Sequence, residues 1–236
     1  MKTIEYFIIT SDKYVHLIKD YSYFFNKNWN TDIPVTILCY DIPDISVPNN
    51  FKFHSLGSQT NFGKYWTNAL IPFFNEIKSE FVCILIDDLF FIREVNINEI
   101  FNILNEIEYE NKTFDKFILG SLPKDMLIGC EKYTSNSLLI NKHVNYRSTL
   151  KPSIWKTEYF KKMLIPNYDV WDFEIKNMNI TKTDNSIIIC HKIVNIIMEL
   201  NVYDKGKFNY KDFESKKHLI SAEDNKIFEK YKQRSV

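Results

Sequence analysis

Residues 81–90, Phe-Val-Cys-Ile-Leu-Ile-Asp-Asp-Leu-Phe, decide how the rest of this chain is read. The apolar run from Phe81 to Ile86 has no polar interruption, the pattern of a strand buried on both faces in the middle of a sheet. Two adjacent carboxylates, Asp87 and Asp88, then leave its C-terminal end, where open α/β sheets place their ligands. Burial of the strand holds both acids rigidly, and two hard oxygen donors there suit Mg²⁺ or Mn²⁺ holding a diphosphate. The alternative is that the acids cap the following turn. The apolar runs on both sides favour function, because uncompensated carboxylates among them would be costly.

Outward from this strand the chain alternates. Residues 4–10 (IEYFIIT), 34–40 (PVTILCY) and 51–56 (FKFHSL) read as strands. Between the first two, Tyr14, Val15, Ile18, Tyr21, Phe24, Phe25 and Trp29 fall on one helical face, and Tyr65, Trp66, Ala69, Leu70, Phe73, Phe74 and Ile77 do so before the central strand. Pro72 inside that second stretch is a local cost and a point where a new helical segment could begin. A helix over 96–108, with Ile97, Ile100, Phe101, Leu104 and Ile107 inward, and a strand over 117–120 complete a nucleotide-binding type of α/β half. From about residue 121 the pattern shortens. Strands are expected at MLIGC (126–130) and NSLLI (136–140), helices over 156–164 and 168–176, and a last strand over 187–193. No Pro/Gly/Ser-rich linker marks a boundary, so residues 1–215 are expected to form one domain, with a nucleotide half over 1–120 and an acceptor half over 121–215. Residues 216–236 are expected to be a polar terminal helix or tail.

Composition narrows the function classes. The 236 residues carry 30 Lys plus Arg against 30 Asp plus Glu, and zero net charge argues against nucleic acid as the main partner. With 19 Phe, 14 Tyr and 4 Trp, intrinsic disorder is excluded, and the aromatic surplus leaves room for a homodimer face. No stretch approaches the roughly 20 apolar residues of a membrane span. The 4 cysteines, Cys39, Cys83, Cys130 and Cys190, form no close pair and predict core packing in a reducing, cytoplasmic compartment, the host cytoplasm if the chain is viral.

Missing motifs narrow the chemistry further. No GxGxxG follows the first strand and no GxxxxGK[ST] occurs anywhere, so dinucleotide and P-loop chemistry lose support. A nucleotide fold in which a metal, rather than a ring of amides, holds the phosphates remains. Here the chain resembles the GT-A glycosyltransferases, in particular the small single-domain viral and bacterial ones, over about residues 1–210. Three stretches carry the resemblance: Thr10-Ser11-Asp12-Lys13 after the opening strand; GKYWTNALIPFFNEIKSEFVCILIDDLFF (63–91), similar to the family's helix, strand and DxD-type motif; and residues 146–156 followed by Tyr168-Asp169-Val170-Trp171-Asp172-Phe173-Glu174, similar to the family's acceptor-side order of a polar strand, a Pro-x-x-Trp turn, a short helix and a Trp-x-Phe-Glu segment. Asp87-Asp88 departs from a strict Asp-x-Asp triplet by lacking the spacer.

The resemblance implies a GT-A-like fold, a Rossmann-like mixed sheet with flanking helices, and a role for each matched residue. Thr10, Ser11 and Asp12 are implied as nucleotide contacts, and Asp41, Lys64, Tyr65 and Trp66 as base and ribose contacts, with packing on the helix's inward face the other reading of Tyr65 and Trp66. Asp88, with Asp87 beside it, is implied to ligate Mn²⁺ or Mg²⁺. Glu174 is the candidate base opposite the leaving group, where Trp171 and Phe173 offer an apolar setting that raises a carboxyl pKa; Asp172 is the alternative, and both acids could equally face water in a first helical turn. Trp155 and Trp171 are candidates for stacking on a sugar acceptor or are core filling. Arg147 and Ser153 are candidates for acceptor hydroxyls or a phosphate, with a surface ion pair the other reading of Arg147. Lys207, in Lys205-Gly206-Lys207, is placed to close on a diphosphate unless the triplet is only a turn. His191 is the positional candidate for the metal-binding histidine found late in some family members, although its place inside SIIICHKIV reads rather as a satisfied strand histidine.

The expected function is transfer of a sugar from a UDP- or GDP-sugar to a saccharide or glycan acceptor. The alternatives are a sugar-phosphate nucleotidyltransferase, which would normally show a glycine-rich loop after the first strand, and a non-catalytic nucleotide- or glycan-binding module.

Overall fold

The computed structural model describes residues 3–192 and 196–233. The chain runs β1 (Ile4–Ile9), α1 (Ile18–Asn28), β2 (Val35–Cys39), β3 (Phe51–Ser55), α2 (Trp66–Glu76), β4 (Phe81–Ile86), β5 (Leu89–Phe91), α3 (Ile97–Tyr109) and β6 (Lys116–Ile118). It continues through α4 (Lys124–Leu127), β7 (Glu131–Lys132), β8 (Ser137–Leu139), β9 (Ser153–Lys156), α5 (Thr157–Met163), α6 (Val170–Thr183), β10 (Ile188–His191), β11 (Glu199–Asn201), β12 (Tyr203–Asp204), β13 (Lys207–Phe208), α7 (Tyr210–Lys216) and α8 (Ala222–Glu229). Nine strands form one sheet in the order β3-β2-β1-β4-β9-β6-β10-β8-β7. The first four are parallel, β9 is antiparallel to both β4 and β6, and β10 is parallel to β6.

Alternation along β4 sorts the core. Phe81, Cys83 and Leu85 face the layer of α1 and α3, while Val82 and Ile84 face α2 and α5 with Phe74, Trp155 and Phe160. A strand apolar on both faces can be satisfied only between two helical layers, so this run takes the sheet's centre. Because β1, β4, β6 and β10 point the same way, their C-terminal ends share one edge. Asp87 and Asp88 leave the sheet there, beside Thr10 at the end of β1.

Four expectations are corrected. MLIGC contains the end of α4 and a turn rather than a strand. Phe101 is exposed and Ile103 takes its inward place on α3. Pro72 lies within an uninterrupted α2; it is on the exposed face, where water can reach the carbonyl left without its N–H partner. Residues 146–152 precede β9 as turns rather than as a polar strand. The last strand ends at His191; position 193 lies outside the described residues. The segment after residue 216 packs as α8, with Phe228 and Tyr231 buried against Phe90. Among the described residues no helix is long and apolar enough to cross a membrane.

Candidate functional site

A cleft of about 490 Å³ opens at the sheet edge where β1 and β4 end. Its floor is Thr10, Ser11, Asp87 and Asp88; Trp66 from α2 and Trp171 from α6 form one side, and Asn201, Tyr203, Asp204 and Lys205 the other. The acid pair dominates its electrostatics. Burial pushes the Asp87 carboxyl well above the usual range and the charge of Asp88 adds to this, while bonds from the Thr10 side chain and the Ser11 N–H offset part of it. Asp87 is 4% exposed, and its Oδ2 is buried with no hydrogen-bond partner among the described residues. Burial likewise moves Asp88 up to about 7, with the charges of Glu174 and Asp204 contributing. Two carboxylates desolvated side by side, one with an orphaned oxygen, favour a bound cation or a retained proton.

Whether a divalent metal fits follows from this donor set. Among the described residues no group of three or more His, Cys, Asp or Glu side chains converges on one point. Two carboxylates are nevertheless sufficient where substrate phosphates and water complete the shell, as is usual for Mg²⁺. The pair therefore fits a cation carried in with a diphosphate, and not a closed all-protein cage.

The sequence-derived residues divide into three sets. Thr10, Ser11, Trp66, Asp87, Asp88 and Trp171 meet in the cleft. Trp171 is 56% exposed on the first turn of α6, because Asp169 caps that helix by accepting the Asp172 N–H at 2.7 Å and turns the indole outward. Asp12, Asp41 and Lys64 are exposed and stand outside the cleft lining, with the Asp12 N–H donating to Gln59 Oε1 at 3.2 Å. Lys207 also stands outside. The positions between the paired strands β12 and β13 are Lys205 and Gly206, both with positive φ (51° and 78°), and this tight turn puts Lys205 and Gly206 into the cleft instead.

The acceptor-side expectations need the largest correction. Trp155 is 1% exposed, wedged between Phe160 and Phe173 with the Lys116 ammonium 4.1 Å from its ring centre, so no sugar can stack on it. Ser153 is fully buried and donates to the Lys151 carbonyl at 2.6 Å. Arg147 is neither a surface ion-pair partner nor a cleft residue. Its guanidinium is buried and donates to the Thr181 and Ser186 carbonyls. Asp172 pairs with Lys176 at 2.9 Å, and the hydrogen bond from that ammonium holds its carboxyl below the usual range, the opposite of a tuned base. Glu174 is half-buried and accepts the Leu150 N–H at 2.6 Å through Oε1. It lies near enough to Asp88 to raise that acid's pKa, without lining the cleft.

Sequence reasoning missed Tyr14, Asn201, Tyr203 and Asp204 as cleft residues. Tyr14 and Tyr203 pack ring to ring at 5.8 Å, and the Gly206 N–H donates to the Tyr14 hydroxyl, tying the β12–β13 turn to the segment after β1. In sequence both tyrosines look like core residues. Asp204 lies 116 positions after Asp88 with no local motif to connect them.

The sheet order, the parallel first half and the acid pair at its C-terminal edge define a GT-A-like nucleotide-diphospho-sugar transferase fold. TarS 1–349 from S. aureus superposes with a TM-score of 0.51 at 13% identity, over 80% of this chain and 58% of that one. The same protein in complex with UDP-GlcNAc gives 0.50 at 14% identity, over 80% and 56%. A longer TarS structure gives 0.50 at 14%, over 80% and 35%, so the chain spans between about a third and somewhat more than half of these neighbours. No protein-family model matches this chain. No curated protein matches it by sequence either.

Proposed function

We propose that this protein is a metal-dependent glycosyltransferase that moves a sugar from a UDP- or GDP-sugar to a saccharide acceptor. The observation that carries the proposal is the desolvated Asp87–Asp88 pair, with its orphaned Oδ2, on the floor of a cleft at the C-terminal end of β4. Bound Mn²⁺ or Mg²⁺ would neutralise charge developing on the leaving diphosphate. Asp88 and Asp87 would hold the cation, and the Lys205 ammonium would face the phosphates from the β12–β13 turn. Trp171 offers an exposed indole for the C–H face of a sugar at the cleft mouth. Glu174 is proposed to receive the acceptor proton: Oε1 is anchored by Leu150, and Oε2 makes no hydrogen bond among the described residues.

The run from Thr10 to Tyr14 has no glycine and no left-handed residue, which supports a sugar transferase over a nucleotidyltransferase with a phosphate-wrapping loop. The test is a thermal-shift panel of UDP- and GDP-sugars with and without Mn²⁺, followed by donor hydrolysis without acceptor. A Mn²⁺-dependent shift lost in Asp88→Ala, together with slow release of nucleoside diphosphate, is expected. No shift with any donor would reject the reading, and binding without hydrolysis would mark a non-catalytic module.

A further inference from the structure

The cleft has a neighbour on the other side of the Leu89–Asn201 pairing. A cavity of about 380 Å³ has Lys151, Lys211 and Lys216 in its lining together with Glu199, Asp212 and Asn201, and Leu89, Asn209 and Ser215 complete it. Asn201 lines both cavities. Leu89 directly follows Asp88, and the Val202 N–H donates to the Asp88 carbonyl at 2.8 Å, so this second cavity begins one residue from the acid pair.

Its hydrogen-bonding capacity is one-sided. Glu199, 2% exposed, already accepts the Ser121 N–H at 3.1 Å, the Ser121 hydroxyl at 3.2 Å and the Lys151 ammonium at 2.7 Å. Asp212 accepts the Asn201 N–H at 2.8 Å and pairs with Lys216 at 2.8 Å, and Lys216 also donates to the Glu199 carbonyl at 2.6 Å. Both carboxylates and one lysine are therefore engaged. Lys151 uses one of its three donors, and Lys211 is exposed and makes no hydrogen bond or ion pair among the described residues. One unused acceptor, the buried Asn201 Oδ1, lies in the wall shared with the cleft. A surplus of ammonium donors over acceptors matches a ligand that brings negative charge and lone pairs, since neutral sugar hydroxyls would call for both in similar number.

We infer that this cavity is the acceptor subsite and that it takes an oxyanion substituent, a phosphate or a carboxylate, on the sugar that receives the transferred residue. Lys151 and Lys211 hold the anion, and Asn201 accepts from a hydroxyl of the same sugar. Only the word acceptor rests on the glycosyl-transfer reading; the anion site stands on the cavity itself.

The experiment titrates the isotope-labelled full chain with glucose, glucuronate and glucose 6-phosphate, with and without UDP and Mn²⁺, reading amide shifts by NMR. A charged sugar is expected to give saturating shifts at Asn201, Lys211 and Ser215 and to bind roughly tenfold more tightly than glucose. Whichever charged sugar binds more tightly identifies the anion as phosphate or carboxylate. Lys211→Ala should remove most of that preference, Lys211→Arg should restore it, and neither should change UDP–Mn²⁺ binding. Equal binding of glucose, no shift with either charged sugar, or unchanged binding in Lys211→Ala overturns the inference. Charged-sugar binding at Lys211 in a protein that binds neither UDP nor Mn²⁺ would sink the glycosyl-transfer reading and leave the anion site standing.

Discussion

A carboxyl group withdrawn from water holds its proton longer, and Asp88, moved up to about 7 first by its burial, shows what this costs the fold. In the unfolded chain it titrates near 4, so its contribution to stability is fully present below about pH 4 and is lost as the pH rises through the folded value. At pH 8 the loss is on the order of a few kcal/mol. Asp88→Asn is accordingly expected to melt higher than the parent at pH 8, with the gap closing toward pH 5. Saturating Mn²⁺ should stabilise only the parent, and calorimetry across this range checks both; parallel melting curves for the two proteins would reject the assignment. The two tryptophans offer a second contrast at this scale. Trp155→Ala opens a cavity beside Phe160 and should cost about 3–5 kcal/mol, whereas Trp171→Ala should change stability by about 0.5 kcal/mol or less while raising the acceptor KM. Denaturant melts and steady-state kinetics separate the two.

At the level of elements, one attachment shapes the cleft wall and another holds the C-terminal helix. The β12–β13 turn requires left-handed backbone at Lys205 and Gly206, and the Gly206 N–H anchors it to Tyr14. Gly206→Val puts a β-branched side chain where φ is positive, at a cost of about 1–2 kcal/mol, and should displace Lys205 enough to raise the donor KM more than it lowers kcat. The other attachment is α8 on α1. Burial alone would raise the Asp224 carboxyl, but bonds from Lys27 at 2.6 Å, Ser221 and Tyr23 more than offset it and leave the pKa below the ordinary value. The sign is therefore opposite to that of Asp88: this contribution is present above about pH 4 and is lost as the pH falls through the lowered folded value. Asp224→Ala should cost about 1–3 kcal/mol at pH 7 by stranding these donors, with the difference from the parent vanishing in acid. Equilibrium unfolding at pH 7 and pH 3 measures it.

For the molecule as a whole, the position of β9 matters most. It comes from residues 153–156 yet lies between β4 and β6, pairing Ile154 with both Cys83 and Phe117. The N-terminal part of the sheet thus has its inner edge covered by a strand from the C-terminal part of the chain. A fragment ending at residue 120 is expected to expose the edge of β4 and to aggregate, while co-expression with residues 121–236 should recover soluble material. Soluble, monomeric 1–120 with a cooperative melt would show that the halves fold separately.

Much was already determined by the sequence alone. The run FVCILI could only be a strand covered on both faces, and the spacing of Tyr21, Phe24 and Phe25 could only be a helix on top of it. Both follow from local periodicity and the cost of exposing apolar surface, so β1, α1, β2, α2 and β4 were legible together with the acid pair at the end of β4. Tertiary structure alone decided which side chains share the cleft. Trp155 and Trp171 read alike in one dimension; one is buried under Lys116 because β9 inserts at the sheet's centre, and the other is exposed because Asp169 starts a helix at the cleft mouth. Tyr14, Asn201, Tyr203, Asp204 and Lys205 join Asp88 only through contacts between segments far apart in the chain. Local patterns determine elements, whereas a site is formed by long-range packing that those patterns do not encode.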